Sequence, residues 1–452
     1  MAEKKKVGMI SLGCPKNLVD SEVMMGLLAR QGYELTSDSQ AADVLVVNTC
    51  GFIDSARQES VDTILEMAQL KQTGNLKRLI VAGCLVERYR DELQNEIPEI
   101  DALIGVNQLK EIETVVEPNG RRQLPVYSDG ASVPELYLYD ETTPRLRATA
   151  PYTSYVKIAE GCDHTCAFCI IPKLRGVFRS RSPESILREV EMLAAQGVKE
   201  FVLISQDTTT YGSDLALKDG LAQLVASIAD VPGVEWVRFL YCYPTAITAQ
   251  LLQVMATRPN VCKYFDIPLQ HVSRRVLQQM RRGGNRESYE RLIARIRERV
   301  PNVAVRTTFI VGFPGEREED FEELVDFVRA VEFDRVGVFT YSDEENSAAF
   351  ELDEKIDASV AKKRERRLMK EQAKISRRRN RKLIGRQVKV LLEGKAKESD
   401  LLLEGRMETQ APEIDGSVLI NDVPEGREVR PGDFVTVEIT EAHEYDLIGH
   451  IV

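Results

Sequence analysis

The sequence predicts an α/β protein in three parts: an open parallel α/β sheet at the N-terminus, a partial (βα)6 barrel in the middle, and a small five-stranded, OB-like β-barrel at the C-terminus. Three observations carry this. Short apolar runs alternate with amphipathic segments over residues 7–105, the pattern of buried parallel strands joined by helices. The alternation stops across a stretch rich in proline and glycine and resumes over residues 152–341. Beyond a strongly basic segment, the last stretch changes to short strands separated by turns. The expected boundaries are 5–117, a linker at 118–150, 151–385 and 386–452.

In the first part, strands are expected at 7–12, 43–48, 79–82 and 102–105, with helices at about 17–31, 56–71 and 87–95. Cys14 follows the first strand, Cys50 ends the second and Cys84 follows the third. All three therefore fall at the carboxyl edge of one sheet, where open α/β folds build their sites. Free cysteines are often simply buried, and three buried thiols is the plain alternative. The repeated strand-end position points instead to a three-thiolate centre. Gly13, Gly51 and Gly83 flank the cysteines and let backbone approach closely. Asn17, Asn48 and Thr49 supply polar groups there, or serve as caps and turns. In the linker, one short strand is expected near 136–139.

In the middle part, strands are expected at 155–159, 201–204, 236–241, 264–267, 303–311 and 336–341. Ser182-Pro183, Asn285 and Gly315-Glu316 are helix-start signals. Six strands with crossover helices suit a partial barrel whose site lies at the carboxyl strand ends. After the first of them comes Glu-Gly-Cys-Asp-His-Thr-Cys-Ala-Phe-Cys, which sets Cys162, Cys166 and Cys169 at C-x3-C-x2-C. Three thiolates leave one position of a metal centre open for chemistry. Structural zinc is the alternative, but no second C-x2-C or His pair lies nearby, and His164 would have to strain back from within the loop. Iron–sulfur is the reading that spacing and context favour. Cys262 reads as core packing, Cys242 at a strand end as core or as facing the cavity, and His271, directly after a strand, as core or as a substrate or proton-transfer group.

Residues 360–386 carry 13 Lys or Arg against two Glu. This is a basic helix, either a solvated face packed on the core or a contact for RNA or ribosome phosphates. Strands are then expected at 387–392, 400–407, 417–420, 434–440 and 447–452. The barrel they form has six basic and 15 acidic residues, so it repels phosphates and suits a basic protein. Only Phe434 and Tyr445 could stack bases.

At 43% hydrophobic and 29% charged, the chain has the make-up of a soluble globular protein. Its apolar runs fall far short of the roughly 20 residues of a membrane helix, and its start lacks the apolar region of a signal peptide. The expectation is a cytoplasmic protein without a membrane partner, whose eight cysteines serve metal or redox chemistry rather than disulfides.

The C-x3-C-x2-C run, with Phe168 before its last cysteine, resembles the signature of the radical S-adenosylmethionine (SAM) superfamily. Ser-Leu-Gly-Cys-Pro-Lys-Asn-Leu-Val-Asp-Ser-Glu (11–22) and Asn-Thr-Cys-Gly-Phe-Ile (48–53) resemble the N-terminal domain of the methylthiotransferase family. The resemblance implies two [4Fe-4S] clusters: an auxiliary one on Cys14, Cys50 and Cys84, and a radical-generating one on Cys162, Cys166 and Cys169. It implies SAM as both methyl donor and source of a 5'-deoxyadenosyl radical, and a TRAM domain at 386–452. The run Ile-Val-Gly-Phe-Pro-Gly-Glu (310–316) resembles the strand on which that superfamily lays the adenine. Phe168, Gln206, Asp207, Arg306 and Gly312 are the candidate SAM contacts. The family has one branch acting on tRNA adenosine and another acting on the β-carbon of an aspartate in small-subunit ribosomal protein twelve. The acidic barrel and the motif wording favour the protein branch; the basic helix keeps the tRNA branch open. A non-catalytic iron–sulfur protein that binds RNA or ribosomes is the third reading. An electron donor such as flavodoxin or ferredoxin is implied, and the sulfur source is left open.

Overall fold

Val, Leu and Ile dominate the first strands, and the computed structural model stacks them as a parallel sheet; it describes residues 5–117, 137–397 and 399–452. The strands are β1 (Lys6–Ser11), β2 (Glu34–Thr36), β3 (Val44–Thr49), β4 (Arg78–Gly83) and β5 (Ala102–Ile104), in the order β2-β1-β3-β4-β5. Strands β3 and β4 are buried along their whole length, because helices cover both faces of the sheet. These are α1 (Pro15–Arg30), α2 (Asp54–Thr73), α3 (Cys84–Glu96) and the single turn α4 (Ile112–Val115). Strand β2 was not expected; three residues are too few to show a period. The chain turns one way from β1 to β2 and the other way to β3, so the switch point lies between the ends of β1 and β3.

Most of the linker, including position 136 of the expected short strand, lies outside the described residues. Residues 137–139 form no strand. Tyr139 is held instead by its phenol, which donates to both Glu189 oxygens at 3.2 Å.

The middle part runs β6 (Thr153–Lys157), β7 (Ala159–Glu160), α5 (Ile171–Arg175), β8 (Arg179–Ser180), α6 (Pro183–Ala195), β9 (Glu200–Ile204), α7 (Gly220–Ala229) and β10 (Trp236–Phe239). It continues α8 (Ala249–Thr257), β11 (Tyr264–Asp266), α9 (Arg274–Gln279), α10 (Arg286–Arg299), β12 (Ala304–Val311), α11 (Glu318–Val331) and β13 (Arg335–Thr340). All six expected strands form, as two parallel three-stranded halves, β10-β9-β6 and β11-β12-β13. The halves meet at the Val237–Val261 bridge and where the Cys242 N–H donates to the Asp266 carbonyl at 2.8 Å. Ser182 and Asn285 cap α6 and α10 as expected. Gly315-Glu316 does not start α11; Arg317 is its N-cap, and Gly315, at φ +77°, makes the turn before it.

Helix α12 (Ala358–Arg381) then leads into β14 (Gln387–Ala396), β15 (Ser399–Met407), β16 (Val418–Asp422), β17 (Phe434–Ala442) and β18 (Leu447–Ile451). These close into a barrel, β14-β15-β16-β18-β17. Its seam with the middle part is ionic and buried: Glu200 accepts from Arg406 Nη2 at 2.7 Å and Arg238 Nε at 3.2 Å. Among the described residues, no helix is long and apolar enough to cross a membrane.

Candidate active site

The first cysteine trio sits at the switch point of the N-terminal sheet. Cys14 is the N-cap of α1, Cys50 follows β3, and Cys84 opens α3 after β4. Asn17 does not cap its helix; its Nδ2 donates to the Leu12 carbonyl at 3.1 Å and the Thr49 carbonyl at 2.8 Å, stapling two strand ends. Asn48 Nδ2 donates to the Asn17 carbonyl at 2.8 Å, and the Thr49 hydroxyl to the Ala82 carbonyl at 2.6 Å. Gly13, at φ +87°, runs so close to Cys50 that a Cβ there would lie 2.8 Å from the Cys50 Cβ.

Burial raises the Cys14 thiol, but Lys16, Arg175 and nearby backbone N–H groups outweigh it and hold the thiol below its ordinary range. Burial pushes Cys50 up to about 11, and the negative charges of Cys14 and Cys84 add to the rise. Burial also raises Cys84, against the pull of Arg175. The three thiols thus lie within one another's field.

The second trio lies in the loop between β7 and α5. Gly161, at φ +81°, folds this loop back on the 176–177 backbone, where a Cβ would meet the Val177 carbonyl at 2.0 Å. The Cys162 N–H donates to the Gly176 carbonyl at 3.1 Å, and the Ala167 N–H to the Met280 carbonyl at 2.9 Å. Arg282 Nη1 donates to Cys166 Sγ at 3.4 Å, while its guanidinium lies 4.4 Å over the Tyr243 ring. Tyr243 stacks on His164 at 3.8 Å, and His164 Nε2 meets Asp207 Oδ2 at 2.6 Å. The histidine is therefore engaged by Asp207 and Tyr243. Burial pushes Cys162 up to about 11 and Cys169 up to about 12, with neighbouring negative charges adding to both.

Among the described residues, no three His, Cys, Asp or Glu side chains converge on the position of a single ion. A four-iron cube does not ask for that, because each thiolate binds its own iron. Both trios offer the thiols such a cube takes and, in addition, a guanidinium donor aimed at one sulfur.

Between the trios lies a buried ion network. Arg175, 2% exposed, ends the helix that follows the loop trio. Its Nη1 donates to Glu160 Oε2 at 2.9 Å and Asp20 Oδ2 at 3.1 Å. Its Nη2 donates to Asn17 Oδ1 at 2.7 Å and to Cys84 Sγ at 3.4 Å. Lys157 completes the set, donating to Glu160 Oε2 at 2.6 Å and to Asp20. Two cations thus match two carboxylates in a buried seam, the condition under which buried charge is tolerated. Burial opposes ionisation of Glu160, yet Arg175 and Lys157 outweigh it and hold the carboxyl far below its ordinary range. Glu160 stands two residues before Cys162, and Asp20 six after Cys14. Sequence reasoning passed over Arg175, Lys157 and Asp20. The signal available was Lys157 within an otherwise apolar strand, which needs a buried partner.

A cavity of about 520 Å³ opens beside the loop trio. Phe168 of the loop, Thr308 and Ile310 of β12, Val338 and Thr340 of β13, and residues 52–55 at the start of α2 wall it, with Lys362 and Glu365 of α12 contributing. Of the sequence candidates for cofactor contact, Phe168 lines it. Gln206, Asp207, Arg306 and Gly312 do not. Gln206 Nε2 donates to Glu160. Asp207 Oδ1 accepts from the Thr209 hydroxyl at 2.6 Å and the Thr209 N–H at 3.0 Å, which is turn chemistry. Arg306 spans the seam to the barrel, 2.7 Å from Asp266 and 3.9 Å from Asp415. Gly312, at φ +74°, packs on Ala361, and its N–H donates to Glu316. The sequence marks the run 306–316, which contains Thr308 and Ile310, but does not single out Val338 or Thr340; alternation along β13 is the available signal. Cys242, Cys262 and His271 are buried, and His271 Nδ1 accepts from the Ser273 N–H at 3.0 Å.

Residues 6–105 match uncharacterized protein family UPF0004, residues 156–328 the radical SAM superfamily and residues 384–452 the TRAM domain. Over its length the chain is similar to proteins named ribosomal protein uS12 methylthiotransferase RimO. It is 55% identical to that of Solibacter usitatus, covering 99% of this chain and 95% of the relative. It is 51% identical to that of Koribacter versatilis, covering 99% and 96%, and 47% identical to that of Geobacter sulfurreducens, covering 99% of each. Among solved structures, the radical SAM methyltransferase TsrM from Kitasatospora setae, with cobalamin and a [4Fe-4S] cluster bound, superposes with a TM-score of 0.52. The two are 15% identical over 75% of this chain and 72% of that one, a likeness of fold alone.

Proposed function

Because the chain belongs to the ribosomal protein uS12 methylthiotransferase RimO family, a family of radical SAM enzymes that use iron–sulfur and SAM, we propose that it acts on uS12 itself. The reaction replaces a hydrogen on the β-carbon of a uS12 aspartate with a methylthio group. The observation that supports this best is the pair of cysteine trios joined by one ion network through Arg175.

Cys162, Cys166 and Cys169 would hold one [4Fe-4S] cluster, and Cys14, Cys50 and Cys84 would hold a second. Bound there, the clusters and SAM would supply the electron, the hydrogen abstraction, the sulfur and the methyl group. The protein's own part is placement. Arg175 and Arg282 each donate to a ligand sulfur, which offsets negative charge at the two centres. Phe168, Ile310 and Val338 give the cavity an apolar wall that takes the adenine and keeps water from a reactive carbon centre. The Asp20–Lys157–Glu160–Arg175 network fixes the N-terminal sheet against the loop, so that both sites address one substrate carbon. The acidic barrel at 386–452 attracts basic uS12. The labour divides between 5–117 for the auxiliary site, 151–385 for radical generation and 386–452 for substrate docking, with a flavodoxin or ferredoxin as electron donor in the cytoplasm.

The test is anaerobic incubation of the reconstituted protein with reductant and SAM, with uS12 and tRNA offered in parallel. The expected result is 5'-deoxyadenosine together with a methylthio mass gain on uS12. Mass gain on tRNA alone would move the chain to the tRNA branch, which the basic helix would then explain. Absence of 5'-deoxyadenosine from a fully loaded protein would leave the non-catalytic reading.

A further inference from the structure

Helix α12 carries its positive charge in two different states. One face packs on the core through Ala361, Leu368 and Ile375. On the flanks of that face the cations are matched: Arg364 with Glu318 at 3.0 Å, Arg367 with Glu322 at 2.7 Å, Arg379 with Asp334 at 2.7 Å. Lys362, Lys374 and Arg378 also have carboxylate partners. On the opposite, outward face lie Lys363, Arg366, Lys370, Arg377 and Arg381, all exposed. Among the described residues none of these five has an ion pair. Their steps of three, four, seven and four residues keep them on one ridge, about 27 Å long at 1.5 Å per residue. This ridge stands on a protein whose net charge is −11.

We propose that this ridge is a docking surface for the phosphate backbone of RNA. A row of solvated, unneutralised cations gains by releasing counterions from a polyanion, a gain that the neutralised flanks cannot offer. Arginine and lysine without interleaved aromatics suit backbone rather than base recognition. A membrane surface does not fit, because an interfacial helix inserts its apolar face and this one has that face packed on the core. Basic uS12 would be repelled. The ridge starts beside Lys362 and Glu365 at the cavity and ends where Asn380 Nδ2 donates to the barrel carbonyl of His443 at 3.1 Å. RNA lying on it would therefore run from the cavity to the acidic barrel. This deepens the proposed function and rests on it in one respect: RNA next to uS12 means that the assembled small ribosomal subunit, rather than free uS12, is the preferred substrate.

The test uses the full-length, cluster-loaded chain and a variant with all five ridge residues replaced by Gln. Binding of a short fluorescent single-stranded RNA is followed by anisotropy between 50 and 200 mM salt. Five contacts at about −0.7 in log K per log salt each give a slope of about −3.5, hence about a 100-fold loss over that range. The variant is expected to lose that binding and most of its slope, keep its thermal unfolding midpoint, modify free uS12 at the parental rate, and modify small subunits more slowly. Equal RNA binding by both proteins would overturn the proposal. So would polyglutamate peptide competing as well as RNA, which would make the ridge a general polyanion surface. If neither protein modifies uS12 in any form while RNA binding still depends on the ridge, the substrate assignment fails and the RNA surface stands.

Discussion

Cys162, Cys166 and Cys169 lie within eight residues of one loop, whereas Cys14, Cys50 and Cys84 come from the ends of three parallel strands. The loop trio is close-set in sequence and turned at Gly161, and backbone bonds to Gly176 and Met280 hold the loop in place. The strand-end trio has left-handed glycines beside it, Gly13 and Gly83, but no single turn brings its three cysteines together. It depends on sheet register, on the Asn17 staple, and on a guanidinium brought from the other part of the molecule. The same number of thiols is thus assembled once by sequence proximity and once by tertiary structure, and the second assembly is the one that mutations far from any cysteine should disturb.

The largest expected effect falls on the loop trio. Replacing Cys162, Cys166 and Cys169 with Ala should abolish 5'-deoxyadenosine formation, measured by chromatography, while the protein keeps about half its iron on the other trio. Next is the seam. Arg175→Met leaves Asp20 and Glu160 with Lys157 alone between them, and breaking such a buried network costs about 3–5 kcal/mol. Denaturant unfolding should show that loss. Iron should be lost preferentially from the strand-end trio, and Arg175→Lys should recover part of both. If Arg175→Met leaves stability and both iron centres unchanged, the dependence of one trio on the other part of the molecule is wrong.

The barrel seam is a control that shares the chemistry but holds no cysteine site. Burial disfavours the Glu200 carboxylate, but Arg406 and Arg238 outweigh it and bring it down to about 2. A carboxyl depressed from about 4.3 contributes stability that is complete above the unfolded value and is lost as pH falls through the folded one. The window is therefore about pH 4.3 down to 2, worth about 3 kcal/mol, and Glu200→Gln should flatten that part of the stability–pH profile. The smallest effect is expected at Arg282. Arg282→Gln removes the donor to Cys166 from a half-buried position, with a stability loss of about 1 kcal/mol. It should lower the midpoint potential of the loop cluster, read by redox titration, and leave that of the strand-end cluster in place.

This contrast also explains what could be read in advance. The three-part architecture, six middle strands and closed C-terminal barrel were legible, because periodicity and turn residues are local signals. The loop that carries Cys162, Cys166 and Cys169 is legible from spacing, and the shared sheet edge of Cys14, Cys50 and Cys84 from their repeated position after each strand. Arg175 was not, because nothing in Ile-Pro-Lys-Leu-Arg announces a partner 91 residues upstream. Gln206, Asp207 and Arg306 are polar residues at or near strand ends, yet their side chains are engaged by Glu160, by His164 and a turn, and by Asp266. Strand-end position marks where a site can be, but not which polar group is left free to serve it.

Separate centres with separate tasks on the two trios are tested by the Cys14→Ala, Cys50→Ala, Cys84→Ala variant, reconstituted anaerobically and incubated with reductant, SAM and uS12. It should hold half the parental iron, continue to form 5'-deoxyadenosine and leave no methylthio group on uS12. A folded variant that keeps its loop cluster yet makes no 5'-deoxyadenosine, or one that still methylthiolates uS12, would contradict it.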